Sequence, residues 1–207
     1  MQQAIAVLDS GVGGLTVLKE LRRQIPNEKL IYLGDTARVP YGTKSATTVL
    51  RYAHEAARFL LEQKVKLLVV ACNTASAVAL EGLAEASPVP VVGVIEPGAR
   101  RAIEVSVNGR VGVVGTEGTI RSGAYERALR RERSDVVVHT AACPLFVPLA
   151  EEGWAGHEVA RLTAREYLAP LLAEGIDTLG LGCTHYPIIK PMLQEVVVPP
   201  VGLVDSA

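Results

Sequence analysis

The chain has 207 residues, 49% of them hydrophobic and 21% charged, with a formal net charge of −1. That composition supports a sizeable core in one large or two small domains and excludes a disordered chain. No long basic run offers a nucleic-acid or anionic-membrane surface, the apolar runs are too short to span a bilayer, and "MQQAIAVLDS" lacks the charged and apolar regions of a signal peptide. The expected compartment is therefore the cytoplasm, where three cysteines stay reduced rather than forming a disulfide framework.

In chain order, "AIAVLD" (4–9) reads as a first strand. It runs through "LDSGVGGL" into a helical pattern with apolar residues at 15, 17, 18, 21 and 25. "LIYLGD" (30–35) is a second strand, "VPYG" (39–42) a turn by composition, and 47–63 a helix with Leu50, Ala53, Ala57, Leu60 and Leu61 on one face. "LLVVAC" (67–72) and "VVGVI" (91–95) follow as strands, and "PGARRAIEVS" as a helix. The second half repeats the alternation. "VGVVG" (111–115), "VVVHTA" (136–141), "TLGLGC" (178–183) and "VGLVD" (201–205) are strands, and Glu158 to Ala173 is a helix. "RALRRERSD" (127–135) is locally basic, but it mixes signs and reads as a solvated helix end. The strand runs are continuous rather than alternating, as strands buried on both faces require. Strand–helix alternation predicts an α/β protein with mostly parallel sheets.

The two halves resemble each other. Cys72 and Cys183, "VGVIE" and "VGLVD", and "AVLDSG" and "GVVGTEG" each recur at a nearly constant offset of about 110 residues. This predicts two similar doubly wound domains, 1–96 and 97–207, related by a pseudo-twofold axis with a cleft between them. The first copy continues past "VGVIE" into a helical pattern. The second stops at "VGLVDSA", where a further helix would begin.

Both third strands end in a cysteine followed by polar residues: "ACNTAS" and "GCTHYP". In parallel sheets, sites form beyond the carboxyl ends of the strands. A helix N-terminus there can lower a thiol pKa from ~8.5 into the range of roughly 3.5–7.5. Several readings compete. Both cysteines could be small core residues, although Asn73, Thr74, Ser76, Thr184 and His185 are poor core company. A disulfide runs against the compartment. A zinc site lacks close Cys-x-x-Cys spacing. A nucleophilic Cys183 with His185 as base suits a hydrolase but leaves Cys72 without a role. Two-base proton transfer uses both: one thiolate removes a proton from a tetrahedral carbon and the other thiol returns one from the opposite face.

Around the cysteines, Asp9 and Ser10 end the first strand before a glycine-rich turn. Asp9 serves nearly as well for capping the first helix. A dinucleotide fingerprint would need glycine where Thr16 stands, so Asp35 as a ribose-binding acid is discounted. The "VPYG" turn either links strand to helix or offers Tyr41 and backbone N–H groups to a carboxylate. Glu151 belongs to the cleft or to a helix surface. Cys143, His54, His139 and His157 read as structural.

"DSGVGGL", "PYG", "ACNTAS", "GVIEPG", "GCTHYP" and "LVDSA", in this order from Asp9 to Ala207, resemble the bacterial glutamate racemases. Related aspartate racemases usually carry Glu rather than His two residues after the second cysteine, so "CTHYP" favours glutamate. The resemblance implies a cofactor-free, metal-free isomerase that interconverts L- and D-glutamate and supplies D-glutamate for peptidoglycan in cell-wall biogenesis. An aspartate racemase or a cysteine-dependent hydrolase of the same fold is the alternative; a non-catalytic binding module is the third reading. By motif match, Cys72 and Cys183 would be the acid/base pair, Cys72 acting on the D form and Cys183 on the L form. Asp9 would assist Cys72 and His185 would assist Cys183. Asp9, Ser10, Tyr41, Gly42, Asn73, Thr74, Thr184 and His185 would hold the substrate. The implied partner is the small-molecule substrate glutamate, with no nucleic acid and no membrane; a homodimer is left open. Family members usually continue past "VDSA" into a helical segment that packs back on the first domain.

Overall fold

The structure is a computed structural model that describes residues 3–197 and 201–206. Ala207, the last residue of "LVDSA", lies outside the described residues. Two four-stranded sheets organise the chain. The first contains β1 (Ile5–Asp9), β2 (Leu30–Gly34), β3 (Leu67–Val70) and β4 (Val91–Gly93), in the order β2-β1-β3-β4. The second contains β5 (Arg110–Gly115), β6 (Val137–Ala142), β7 (Thr178–Gly182) and β8 (Gly202–Asp205), in the order β6-β5-β7-β8. The two orders are the same once the strands are renumbered within each half. Every pairing is parallel, so each connection needs a crossover, which helices provide.

Burial follows position in the sheet. β1 and β7 are buried at every residue, and β5 at all but its first. β2, β4 and β6 lie at edges and are half-exposed. Central strands covered on both faces can be continuous Val/Ile/Leu runs. Alternate residues of a strand face opposite ways. Ala6, Leu8, Leu68 and Val70 therefore pack under α2 (Ala46–Leu61) and α3 (Asn73–Ala86), and Ile5, Val7, Val69 and Ala71 under α1 (Leu15–Gln24). The α2 helix starts where Ser45 caps it, accepting from the Thr48 N–H at 3.2 Å, a contact worth about 1 kcal/mol. It buries Val49, Ala53, Ala56, Ala57 and Leu60 at helical spacing.

In the second unit, Val114, Leu179 and Leu181 pack against α7 (Phe146–Glu151), α8 (Glu158–Ala173) and α9 (Tyr186–Val196). The opposite face, with Val111 and Val113, is covered by α6 (Ala124–Glu132) and α4 (Ile95–Val105). The short α5 (Glu117–Arg121) precedes α6. Although α4 follows the last strand of the first sheet, it lies on β7, β8 and α6 of the second. Among the described residues, no helix is long and apolar enough to cross a membrane.

Candidate active site

Each central pair of strands ends at a cysteine. Leu8 pairs with Val70 and Val114 with Leu181, so Cys72 and Cys183 occupy the same place, two residues past the paired position. Cys72 is the N-cap of α3, and its sulfur accepts from the Ala75 N–H at 3.5 Å. Cys183 stands three residues before α9. Both line one cavity of about 10 Å³, together with Ser10, Pro40, Tyr41, Gly42, Asn73, Thr74, Thr116, Val147, Thr184 and His185. That is room for about one water, so the walls must part before an amino acid can enter. The cavity is closed: Cys72 is 4% exposed and Cys183 6%. A wider groove, about 680 Å³, opens between α3, α4 and α6 with Arg127, Arg130 and Arg131 on its wall, but it contains no thiol.

On the first wall, the Cys72 thiol donates to Ser10 Oγ at 3.5 Å. Asp9 is fully buried. Its Oδ2 accepts from the N–H groups of Gly11 and Gly14, both at 3.0 Å, so it secures the turn before α1. Its Oδ1 accepts from Thr184 Oγ1 at 3.2 Å, across the cleft. Both the capping and the site readings of Asp9 thus have geometric support. On the second wall, His185 Nδ1 lies 3.9 Å from Cys183 Sγ, and Nε2 lies 2.9 Å from Glu151 Oε1. A carboxylate only accepts, so Nε2 carries the hydrogen and, in the neutral ring, Nδ1 presents its lone pair to the thiol.

The units approach closely. A Cβ at Gly13 would lie 2.5 Å from His185 Nδ1, and one at Gly42 would lie 2.3 Å from Thr116 Cβ; both are far inside van der Waals contact, so only glycine fits. Thr74 Oγ1 lies 2.9 Å from Thr116 Oγ1 and 3.1 Å from Thr119 Oγ1, closing a buried hydroxyl triangle between the units.

Tyr41 lines the cavity, but its hydroxyl donates to Asp35 Oδ2 at 2.5 Å. Arg38 binds the same carboxylate and also Glu55. The phenol therefore braces the turn, and Asp35 lies behind the site as part of that brace. The expected lowering of the thiol pKa is reversed. Burial, then the Asp9 charge, pushes Cys72 up to about 11. Burial pushes Cys183 higher still, opposed by the backbone N–H of His185 and reinforced by the charges of Cys72 and Asp9. A helix N-terminus cannot offset the loss of water around a thiolate in a closed cavity. Burial likewise raises Asp9, against its bonds to Gly11 and Gly14, the His185 charge and the Thr184 hydroxyl.

Sequence reasoning brought Cys72, Cys183, Asp9, Ser10, Asn73, Thr74, Thr184 and His185 to one place, and the structure gathers all of them at this cavity or against it. It did not single out Thr116 and Val147, and it left Glu151 undecided. Thr116 was findable, because the repeat sets it opposite Ser10. Cys143 is buried with its thiol pushed up to about 12, and its carbonyl accepts from Tyr186. Among the described residues, no three His, Cys, Asp or Glu side chains gather as a metal site requires.

The fold and site define an α/β protein of two like parallel units that bring a cysteine loop each to a shared cavity. The chain belongs to the Asp/Glu/Hydantoin racemase family, whose model matches residues 5–207. A glutamate racemase of Geobacter metallireducens is 63% identical over 205 residues, 99% of this chain and 76% of that protein. The crystal structure of a glutamate racemase isoform from Bacillus anthracis superposes with a TM-score of 0.96 at 45% identity, covering 99% of this chain and 77% of that one. The Francisella tularensis glutamate racemase in complex with D-glutamate gives 0.91 at 42% identity, covering 99% and 76%.

Proposed function

We propose that this chain interconverts L- and D-glutamate by passing the α-proton between Cys72 and Cys183, supplying D-glutamate for peptidoglycan in the cytoplasm. The observation that carries the reading is the pair of topologically equivalent cysteines lining one small cavity. Relatives named glutamate racemase over nearly the whole chain support the substrate.

Both sulfurs rest as thiols, because burial disfavours the thiolate. The sulfur that receives the α-hydrogen must first lose its own. His185 Nδ1, oriented by Glu151, takes that proton from Cys183. Asp9 does the same for Cys72: a proton moved onto the raised carboxyl removes the negative charge that opposes the thiolate. The thiolate then removes the α-hydrogen as a proton. The electron pair of the broken C–H bond stays on the carbon and its carboxylate, and the opposite thiol donates its S–H proton to the other face. Cys72 serves the D form and Cys183 the L form. Ser10, Asn73, Thr74 and Thr184, with the backbone of Tyr41 and Gly42, hold the carboxylates and ammonium.

Incubating L-glutamate in D2O is the test. D-glutamate carrying deuterium at the α-carbon is the expected product, and protiated D-glutamate would exclude the two-thiol route. The contact between His185 and Cys183 also fits a hydrolase; that reading requires a covalent acyl-enzyme and full activity without Cys72.

A further inference from the structure

One buried side chain of the second unit reaches the first unit beside the cavity without lining it. Tyr125, on α6, is 6% exposed, and its ring lies so close to β7 that a Cβ at Gly182 would sit 2.9 Å from Tyr125 Cε2. Its hydroxyl donates to Asn73 Oδ1 at 2.6 Å. The Asn73 Nδ2 donates in turn to Ser206 Oγ at 3.1 Å. Asn73 is itself buried and lines the cavity between the thiols.

An amide has one acceptor atom and two N–H donors. Its two faces are nearly the same shape, so an unanchored side chain can rotate to present oxygen instead of nitrogen. Oxygen facing a substrate carboxylate repels it. A buried phenol hydrogen needs an acceptor, and among the described residues Asn73 Oδ1 is the one it finds. Burial, and the charges of Cys183 and Asp205, keep that hydroxyl protonated.

We infer that Tyr125 is a positioning residue: by holding Asn73 Oδ1, it fixes the amide so that Nδ2 keeps its second N–H for a substrate carboxylate. This rests on the reading of Asn73 as a substrate-binding residue. Tyr125 touches no reacting atom, and it works across the seam, from the unit carrying Cys183 to the loop carrying Cys72.

Tyr125→Phe removes the hydroxyl and keeps the ring against Gly182. The expected result in a racemisation assay is a KM for glutamate raised about tenfold, the size of one hydrogen bond, with kcat within about threefold of the parent, as loss of uniform binding requires. Asn73→Ala should raise KM at least as much, and the double variant should be no worse than Asn73→Ala alone. An unchanged KM in Asn73→Ala removes the substrate role of Asn73. A raised KM there with parental kinetics in Tyr125→Phe leaves that role standing and overturns the positioning. Additive losses in the double variant overturn it too, because the phenol would then act independently. If Tyr125→Phe does not fold, Ser206→Ala removes the other anchor of the same amide; it should raise KM about threefold with kcat kept, and parental kinetics would count against the inference.

Discussion

The two units share one topology, yet their cysteines have different companions. The registers that align Cys72 with Cys183 also align Asp9 with Gly115, Ser10 with Thr116, and Thr74 with His185. On the first wall the ionisable neighbour is a carboxyl at the end of β1. On the second it is an imidazole in the loop after β7, backed by Glu151. The repeat therefore supplies two like thiol positions, whereas the ionisable groups beside each come from positions that are not equivalent. A first strand ending in Gly115 leaves no carboxyl for Cys183, and Thr74 leaves no base for Cys72.

The comparison breaks most directly at the sulfurs. Cys72→Ser and Cys183→Ser should each lower racemisation by about a thousandfold or more, since each removes one member of an acid/base pair. Equal loss in both, measured by the circular dichroism of glutamate, supports symmetric walls. Near-normal activity in either variant sinks the pairing.

The helpers come next. Asp9→Asn and His185→Asn should each cost about a hundredfold in kcat/KM. Enantiomers have equal free energy, so the loss in kcat/KM must be the same from L- and from D-glutamate even though the helpers sit on different walls. Kinetics run from both directions check this, and an unaffected Asp9→Asn would leave the first wall without its base.

Alkaline pH tests the burial of the thiols through stability. The folded pKa of Cys72, about 11, lies above the ordinary value of 9.0. From pH 9 to 11 the unfolded chain loses this proton while the folded one keeps it, so stability present below pH 9 is lost as pH rises through this window. The contribution is about 2–3 kcal/mol. Urea titrations should show Cys72→Ala losing less stability over that range than the parent; parallel curves would contradict the burial argument.

The smallest effect belongs to Glu151→Gln. The amide oxygen can still accept from His185 Nε2, but without charge, so kcat should fall about tenfold. A loss as large as that of His185→Asn would mean that Glu151 does more than orient the ring.

Much of this was legible from residues alone. The eight strands of the described residues appear where the sequence places them, most plainly β1, β3, β5 and β7, because a central parallel strand leaves no face for polar alternation. The nearly constant offset of about 110 residues between three pairs of segments exposes the repeat. The remainder depends on long-range contacts. Nothing near Glu151 in the chain indicates that it meets His185, 34 positions away. Tyr41 reads as a ligand group until Asp35 is seen at its hydroxyl. The thiol pKa values went the other way because a helix start is written locally, whereas a closed cavity is assembled from both halves.

The placement of α4 matters for anyone dividing this molecule. The helix begins at Ile95, and Val94 accepts from the Gly98 N–H at 3.2 Å. A cut at Glu96–Pro97 would pass through its first turn, separating Ile95 from Ala99 and Ala102, with which it packs on the second sheet. A fragment beginning after that point would leave Val111 and Val113 short of cover, and one ending there would carry a stump with no surface of its own to rest on. Neither half is a self-contained building block, and a library of swapped halves should keep α4 whole and with the downstream partner.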